Sequence, residues 1–233
     1  MSTVVVQAFI TLDGVVQAGG GPDEDRAGGF EHGGWQAGYD DGDIVSEWES
    51  RTEALLLGRK TYEIFAGSWG VWDENAEGLL GELTRRYHRI PKYVASRTLT
   101  DPGWKNSQLL GPDVPAAVQQ LRSEPGGEIR VWGSTQLIRT LAEHDLVDEY
   151  RLVVYPLVLG AGKKLFGDGF PLSRFSLAES RALPSGILIN IYRRTDAGYV
   201  ASASAATELT PAHKWCAASI EVRWGLAAGV RGP

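Results

Sequence analysis

Cysteine is almost absent from this sequence, with Cys216 the only one among 233 residues. No intramolecular disulfide can form, and together with the lack of a signal-peptide pattern this predicts a reducing compartment, the cytoplasm. Histidine is scarce as well: His32, His88, His144 and His213 are scattered and, with one cysteine, make no recognised zinc spacing, so no metal is expected. Long apolar runs are missing. The stretch from Leu152 to Leu159 is interrupted at Pro156 and ends in Gly160, well short of the roughly 18 residues a membrane span needs. Basic charge is outweighed, 23 Lys and Arg against 29 Asp and Glu for a net charge of -6. A global field that gathers nucleic acid is thereby excluded, and any anion site must be local. Catalytic signatures are lacking too. No G-x-G-x-x-G follows the first strand, Gly160-Ala161-Gly162-Lys163-Lys164 has neither the spacing nor the hydroxyl of a P-loop, and Ser134 sits outside a G-x-S-x-G elbow.

What remains is an ordinary globular composition, 43% hydrophobic, with a clear alternation of element types. Val4 to Leu12 is a β-branched run closed by Asp13-Gly14, which predicts a buried opening strand. Residues 17–42 are rich in glycine and acids and predict a long loop over the sheet edge, of the kind that lids a site. Helical spacing from Asp43 to Glu53 leads into a short strand at Ala54 to Leu57, and after Gly58 a helix carries Tyr62, Ile64 and Phe65 with Thr61 and Glu63 near its start. Further helices are predicted over residues 74–87, over 113–123 and through Leu137, Ile138 and Leu141, with strands at Lys92 to Ala95 and Glu128 to Trp132. The last third is strand-rich at Glu149 to Val158 and Gly186 to Arg193. This order predicts an α/β fold whose mostly parallel sheet is finished by antiparallel strands. Past Arg194 the composition turns to alanine, serine and glycine, so residues 195–233 are read as an extension, partly ordered or with a short helix around 212–220.

Three strand ends carry phosphate-friendly chemistry. Gly58-Arg59-Lys60-Thr61 combines close backbone approach, two cations and a hydroxyl at a helix start. Ser96-Arg97-Thr98 flanks a guanidinium with hydroxyls, and Gly133-Ser134-Thr135-Gln136 offers free amides where a helix begins. A capped turn accounts for any one of them; three at the carboxyl ends of strands point to a dinucleotide.

The runs Leu12-Asp13-Gly14-Val15-Val16, Leu56-Leu57-Gly58-Arg59-Lys60-Thr61-Tyr62-Glu63, Val131-Trp132-Gly133-Ser134, Leu146-Val147-Asp148-Glu149 and Pro156 through Phe166 resemble the dihydrofolate-reductase-like superfamily. More narrowly, they are similar to the reductase domain of bifunctional riboflavin-biosynthesis deaminase-reductases and their stand-alone bacterial relatives. The resemblance covers Val4 to Arg194 and implies a dihydrofolate-reductase-like three-layer fold. It implies NADPH as cofactor, with Arg59, Lys60 and Thr61 at the adenosine phosphates, Ser96, Arg97 and Thr98 on the 2′-phosphate side, and Gly133, Ser134, Thr135, Gln136 and Leu137 along the pyrophosphate. Ala8 and Phe9, with the loop Asp13, Gly14, Val15 and Val16, would face nicotinamide and substrate. Within the riboflavin branch the substrate would be 5-amino-6-(5-phosphoribosylamino)uracil or a similar small heterocyclic sugar phosphate, its phosphate near Gly162 and Lys163 or Lys164 unless these lysines are solvated.

Length leaves no room for a deaminase half, and no proton donor can be named from the sequence. True dihydrofolate reductases carry an acid on the helix before the G-R-x-T turn. Asp41, Asp43 and Glu47 fall in that neighbourhood, but N-cap or surface roles suit each better. A dihydrofolate reductase and a non-catalytic nucleotide-binding module stay open as rival readings. A homodimer is also expected, built through Tyr150 to Tyr155, whose poor alternation before Pro156 reads as an apolar strand near a sheet edge.

Overall fold

Buried on nearly every residue, strand β1 (Thr3–Thr11) runs through the middle of the molecule, as its unbroken Val4-Val5-Val6 start demands of a parallel strand covered on both faces. The computed structural model describes residues 1–41 and 43–195. After β1 come α1 (Ile44–Glu49), β2 (Thr52–Gly58), α2 (Arg59–Gly67), α3 (Gly78–Arg89), β3 (Lys92–Ala95), β4 (Ser107–Leu109) and α4 (Val114–Ser123). They are followed by β5 (Glu128–Trp132), α5 (Thr135–Glu143), β6 (Glu149–Tyr155), β7 (Phe175–Ala182) and β8 (Leu188–Arg194). One sheet takes all eight strands in the order β4-β3-β2-β5-β1-β6-β8-β7. Its first six are parallel neighbours, while β8 is antiparallel to both β6 and β7.

The strands' two-residue period sorts the core into two layers. On one face Val4, Val6, Leu56, Val131 and Leu152 pack under Val118 of α4 and Leu137 and Leu141 of α5. On the other, Leu55, Leu57 and Trp132 meet Tyr62 of α2 and Leu83 and Tyr87 of α3, while Val153 and Tyr155 lie under Trp48 of α1 and Phe30 and Trp35 of the long loop. This is the dihydrofolate-reductase-like layering expected from the sequence. No helix among the described residues is long and apolar enough to cross a membrane.

Several expected boundaries shift. Helix α1 ends at Glu49, not near Glu53, because Thr52 is already buried in the sheet opposite Glu128. Helix α3 begins at Gly78 instead of Glu74, since the Asp73 carboxylate accepts from the Asn75 amide and holds residues 73–76 in a turn. Strands β4 and β7 escaped the reading: the first is three residues long, and the second is exposed along almost its whole length. Strand β7 is one of the sheet's two edges, and Glu179 and Arg181 stand on it as charges that discourage edge pairing. The strand that carried the dimer expectation is not near an edge. Strand β6 is paired on both sides, and its apolar residues fill both core layers up to Tyr155, just before Pro156. The short helix expected over 212–220 lies outside the described residues.

Candidate active site

The carboxyl ends of β1, β2, β3 and β5 open onto one cavity of about 1350 Å³, where open α/β sheets hold their ligands. Two helix starts form its rim. Gly58 ends β2 and caps α2, and Gly133-Ser134 ends β5 and leads into α5. The helix that follows Gly58 starts at once with Arg59, so Thr61 is its third residue and its hydroxyl is turned sideways onto the neighbouring turn. The Ser134 amide donates to Thr61 Oγ1 at 3.1 Å, the two hydroxyls lie 3.0 Å apart, and the Gly58 amide donates to Ser134 Oγ at 2.8 Å. These contacts fasten two helix N-termini side by side. Each presents first-turn amides without intrahelical partners and the positive end of a helix dipole.

Both Gly133 (φ 49°) and Ser134 (φ 56°) are left-handed, and a Cβ on Gly133 would sit 2.8 Å from Thr61 Oγ1. Glycine is needed here to seat the α5 start against α2. The third turn is closed by its own serine: Ser96 Oγ accepts from the amides of Thr98 (3.1 Å) and Leu99 (2.9 Å).

The cations at the rim differ in how far they are committed. Arg59 lays its guanidinium on Glu63, with Nη1 at 2.8 and 3.0 Å from the two carboxylate oxygens. Lys163 is bonded to Asp25, a residue of the long loop. Burial alone would raise the Asp25 carboxyl, but the Lys163 ammonium and the nearby Lys60 charge hold it below its ordinary value. Arg97 has no side-chain hydrogen bond or ion pair among the described residues and faces the same cavity.

Gln17 organises the long loop. Its Nε2 donates to the carbonyls of Asp25 (3.0 Å) and Ala27 (2.9 Å), its Oε1 accepts from the Lys163 amide at 2.9 Å, and Trp35 Nε1 donates to its carbonyl at 2.7 Å. The loop thus supplies one wall of the cavity, including Gly19 to Asp25 and Trp35.

All thirteen residues expected to touch the cofactor line this cavity: Ala8, Gly58 to Thr61, Ser96 to Thr98 and Gly133 to Leu137. Of the residues expected on the substrate side, Phe9, Val16 and Lys163 line it, whereas Asp13, Gly14, Val15 and Gly162 do not. Those four join two loops. Asp13 accepts from Thr11 Oγ1 at 2.6 Å, from the Leu159 amide at 3.2 Å and from the Gly160 amide at 2.8 Å. Val15 bridges Lys164, and a Cβ on Gly162 would meet Val15 and Phe30 at 2.7 and 2.8 Å. Their work is to carry Lys163 to the rim.

The Thr11 hydroxyl, helped by the two amides, lowers the Asp13 carboxyl from 3.8 to about 2. A depressed carboxyl contributes stability that is complete above the unfolded value and is lost as pH falls through the folded one. Asp13→Asn should therefore flatten the acid limb of the thermal midpoint between pH 3.8 and about 2. Parallel limbs in melts of the two proteins would disprove the staple.

Beneath the rim lies a polar floor that sequence reasoning missed. Gln7 of β1 and Trp132 of β5 line the cavity, and behind them Glu49 of α1 and Arg130 of β5 are fully buried. Glu49 Oε1 accepts from Trp132 Nε1 at 3.0 Å. Arg130 donates to Gln7 Oε1 (2.9 Å), the Trp48 carbonyl (3.0 Å) and Thr52 Oγ1 (3.3 Å), and pairs with Glu128. Burial pulls the Arg130 guanidinium down to about 10, with the Glu49 charge opposing it. The available signal was a polar residue inside each buried strand. Of the acids weighed before the G-R-x-T turn, Asp43 caps α1 by position but without a side-chain bond, and Glu47 meets Arg51 and Arg181 at the surface. Asp41 takes neither role: it is partly buried under Tyr155 OH, 3.4 Å away, and burial raises its carboxyl. Among the described residues no cluster of three or more His, Cys, Asp or Glu could hold a metal.

Comparison with known proteins matches residues 2–189 to the RibD C-terminal domain. The chain belongs to this family. It is the reductase-domain family that the sequence motifs resembled. A Bacillus subtilis (strain 168) relative, the uncharacterized protein YyaP, is 30% identical over 152 residues, 63% of this chain and 77% of that protein. Among solved structures, a putative riboflavin biosynthesis protein from Shewanella sp. PV-4 superposes with a TM-score of 0.61 at 20% identity, covering 83% of this chain and 99% of that one. A pyrimidine reductase-like protein from Corynebacterium diphtheriae does so with 0.51 at 14% identity, covering 83% and 92%.

Proposed function

We propose that this chain is a cytoplasmic NADPH-dependent reductase of the riboflavin-biosynthesis type, acting on a small heterocyclic sugar phosphate such as 5-amino-6-(5-phosphoribosylamino)uracil. The observation that carries the reading is the pair of fastened helix starts that line one cavity with Arg97, which is unpaired among the described residues. Two adjacent sets of free amides suit a pyrophosphate, and a free guanidinium fork suits a monoester such as the 2′-phosphate. When bound, NADPH would supply the hydride; the protein's part is to hold it and to exclude water. Family membership and the two structural relatives, a putative riboflavin biosynthesis protein and a pyrimidine reductase-like protein, support the same class. Dihydrofolate reduction gains no support, because none of Asp41, Asp43, Glu47 and Glu49 lines the cavity.

NADPH should bind more tightly than NADH. Since Arg59 is already forked onto Glu63, the discrimination falls to Arg97. Arg97→Ala should remove about 1.5–3 kcal/mol of that preference, the size of a charge-assisted hydrogen bond. Calorimetric titration of both cofactors checks it: an Arg97→Ala protein that still discriminates like the parent removes Arg97 from the site, and a parent that binds neither cofactor removes the reductase reading. Consumption of NADPH in the presence of the ribosylaminopyrimidine phosphate tests the substrate.

A further inference from the structure

Asp25 belongs to the long loop, yet its carboxylate is bonded to Lys163 in the wall of the cavity. The neighbouring acids are turned elsewhere. Asp23 pairs with Arg26, and Glu24 accepts from the amides of Gly20 and Gly21. Asp25 itself is held in place: its other carboxylate oxygen accepts from the Ala27 amide at 3.0 Å, and Gln17 is bonded both to its carbonyl and to the Lys163 amide. One side chain thus ties the two ends of the ion pair together. Both ends stay within reach of a ligand, with 20% of the Asp25 side chain and 37% of the Lys163 side chain exposed.

A second cation acts on the same carboxylate. Lys60, the second residue of α2, lines the cavity and has no hydrogen bond or ion pair of its own among the described residues. Against the upward pull of burial, its charge joins that of Lys163 in lowering the Asp25 carboxyl. Two ammonium groups beside an empty cavity repel each other, and Asp25 offsets that repulsion. Its hold is weak, because a partly exposed lysine–carboxylate pair contributes little stability. A phosphomonoester carries close to two negative charges near neutral pH and three acceptor oxygens, so it can take the place of a single carboxylate.

We propose that Lys163 and Lys60 form the seat for a phosphomonoester on the substrate, and that Asp25 fills this seat as a resident counter-ion which the phosphate displaces. This deepens the proposed reductase function and rests on that reading for a phosphate-bearing substrate. It also moves Lys60 from the adenosine phosphates, where the family resemblance puts it, to the substrate side.

Calorimetric titration of the full chain with ribitol 5-phosphate tests the seat, and 2′,5′-ADP serves as the probe for the cofactor's phosphates. A site that is open only part of the time binds more weakly by that fraction, so Asp25→Asn should bind ribitol 5-phosphate about fivefold more tightly than the parent. Lys163→Met should weaken it about tenfold and Lys60→Met about threefold, while Asp23→Asn, which removes the same charge from the same loop, should stay within about twofold of the parent. Affinity for 2′,5′-ADP should also stay within about twofold in Asp25→Asn. Thermal midpoints show whether the variants are folded; should Asp25→Asn fail to fold, Asp25→Ser keeps an acceptor for the Ala27 amide and carries the same expectation. A folded variant that binds ribitol 5-phosphate no better than the parent makes Asp25 a mere staple of the loop and overturns the proposal. So does an equal gain for 2′,5′-ADP, which would give the seat to the cofactor, or a parent and variant that both fail to bind ribitol 5-phosphate. The titrations contain no NADPH, so the expected pattern in a protein that never oxidises NADPH would sink the reductase reading and leave the seat standing.

Discussion

Replacing Arg130 by Met is expected to destabilise the protein by about 3–5 kcal/mol, the cost of breaking a buried ionic network by removing one member. Methionine fills much of the volume, so little of the loss is cavity formation. What remains behind is the problem: Gln7 Oε1, the Trp48 carbonyl and Thr52 Oγ1 lose a donor, and the buried Glu49 carboxyl loses the Arg130 charge with which it interacts. Urea unfolding should show a lower midpoint at unchanged slope. Adding Glu49→Gln to the Met variant should return part of the loss, since it removes the uncompensated acid. A loss under about 1 kcal/mol for Arg130→Met would mean that the floor is not held by this residue.

The second large effect is expected at Gly133. Valine there must adopt a left-handed backbone at a cost of about 1–2 kcal/mol, and its Cβ would lie 2.8 Å from Thr61 Oγ1 and 3.2 Å from Thr61 Cγ2. With overpacking added, Gly133→Val should cost about 2–4 kcal/mol and push the starts of α2 and α5 apart. NADPH affinity should fall by about tenfold or more, because the two sets of amides would no longer share one direction. Thr61→Ser in the same background removes the crowding methyl and should recover part of both losses. A Gly133→Val protein with parental thermal midpoint and cofactor affinity would dismiss the fastening of the two helices as a functional feature.

Much of the rim was legible because its signals are local. A polar cluster that closes an apolar strand run marks a turn whatever surrounds it, and all three such turns line the cavity. The resemblance put Asp13 and Gly162 on the substrate side, whereas neither lines the cavity and Asp13 staples segments 146 residues or more apart. Strands β4 and β7 were invisible for the opposite reason. Each is defined by the neighbour it pairs with and has no apolar period of its own.

By itself the sequence determined the alternation of strands and helices and the turns that end the strands, because each depends on residues a few positions apart. Tertiary structure alone decided that β6 is interior, since sheet order is set by crossovers that no local pattern records. It also decided the polar floor. Gln7 and Arg130 are 123 residues apart, and Glu49 meets Trp132 across 83. Gln7 and Arg130 are isolated polar residues in strand runs that should be apolar, and only the parallel pairing of β1 with β5, under α1, supplies the partners that make their burial tolerable.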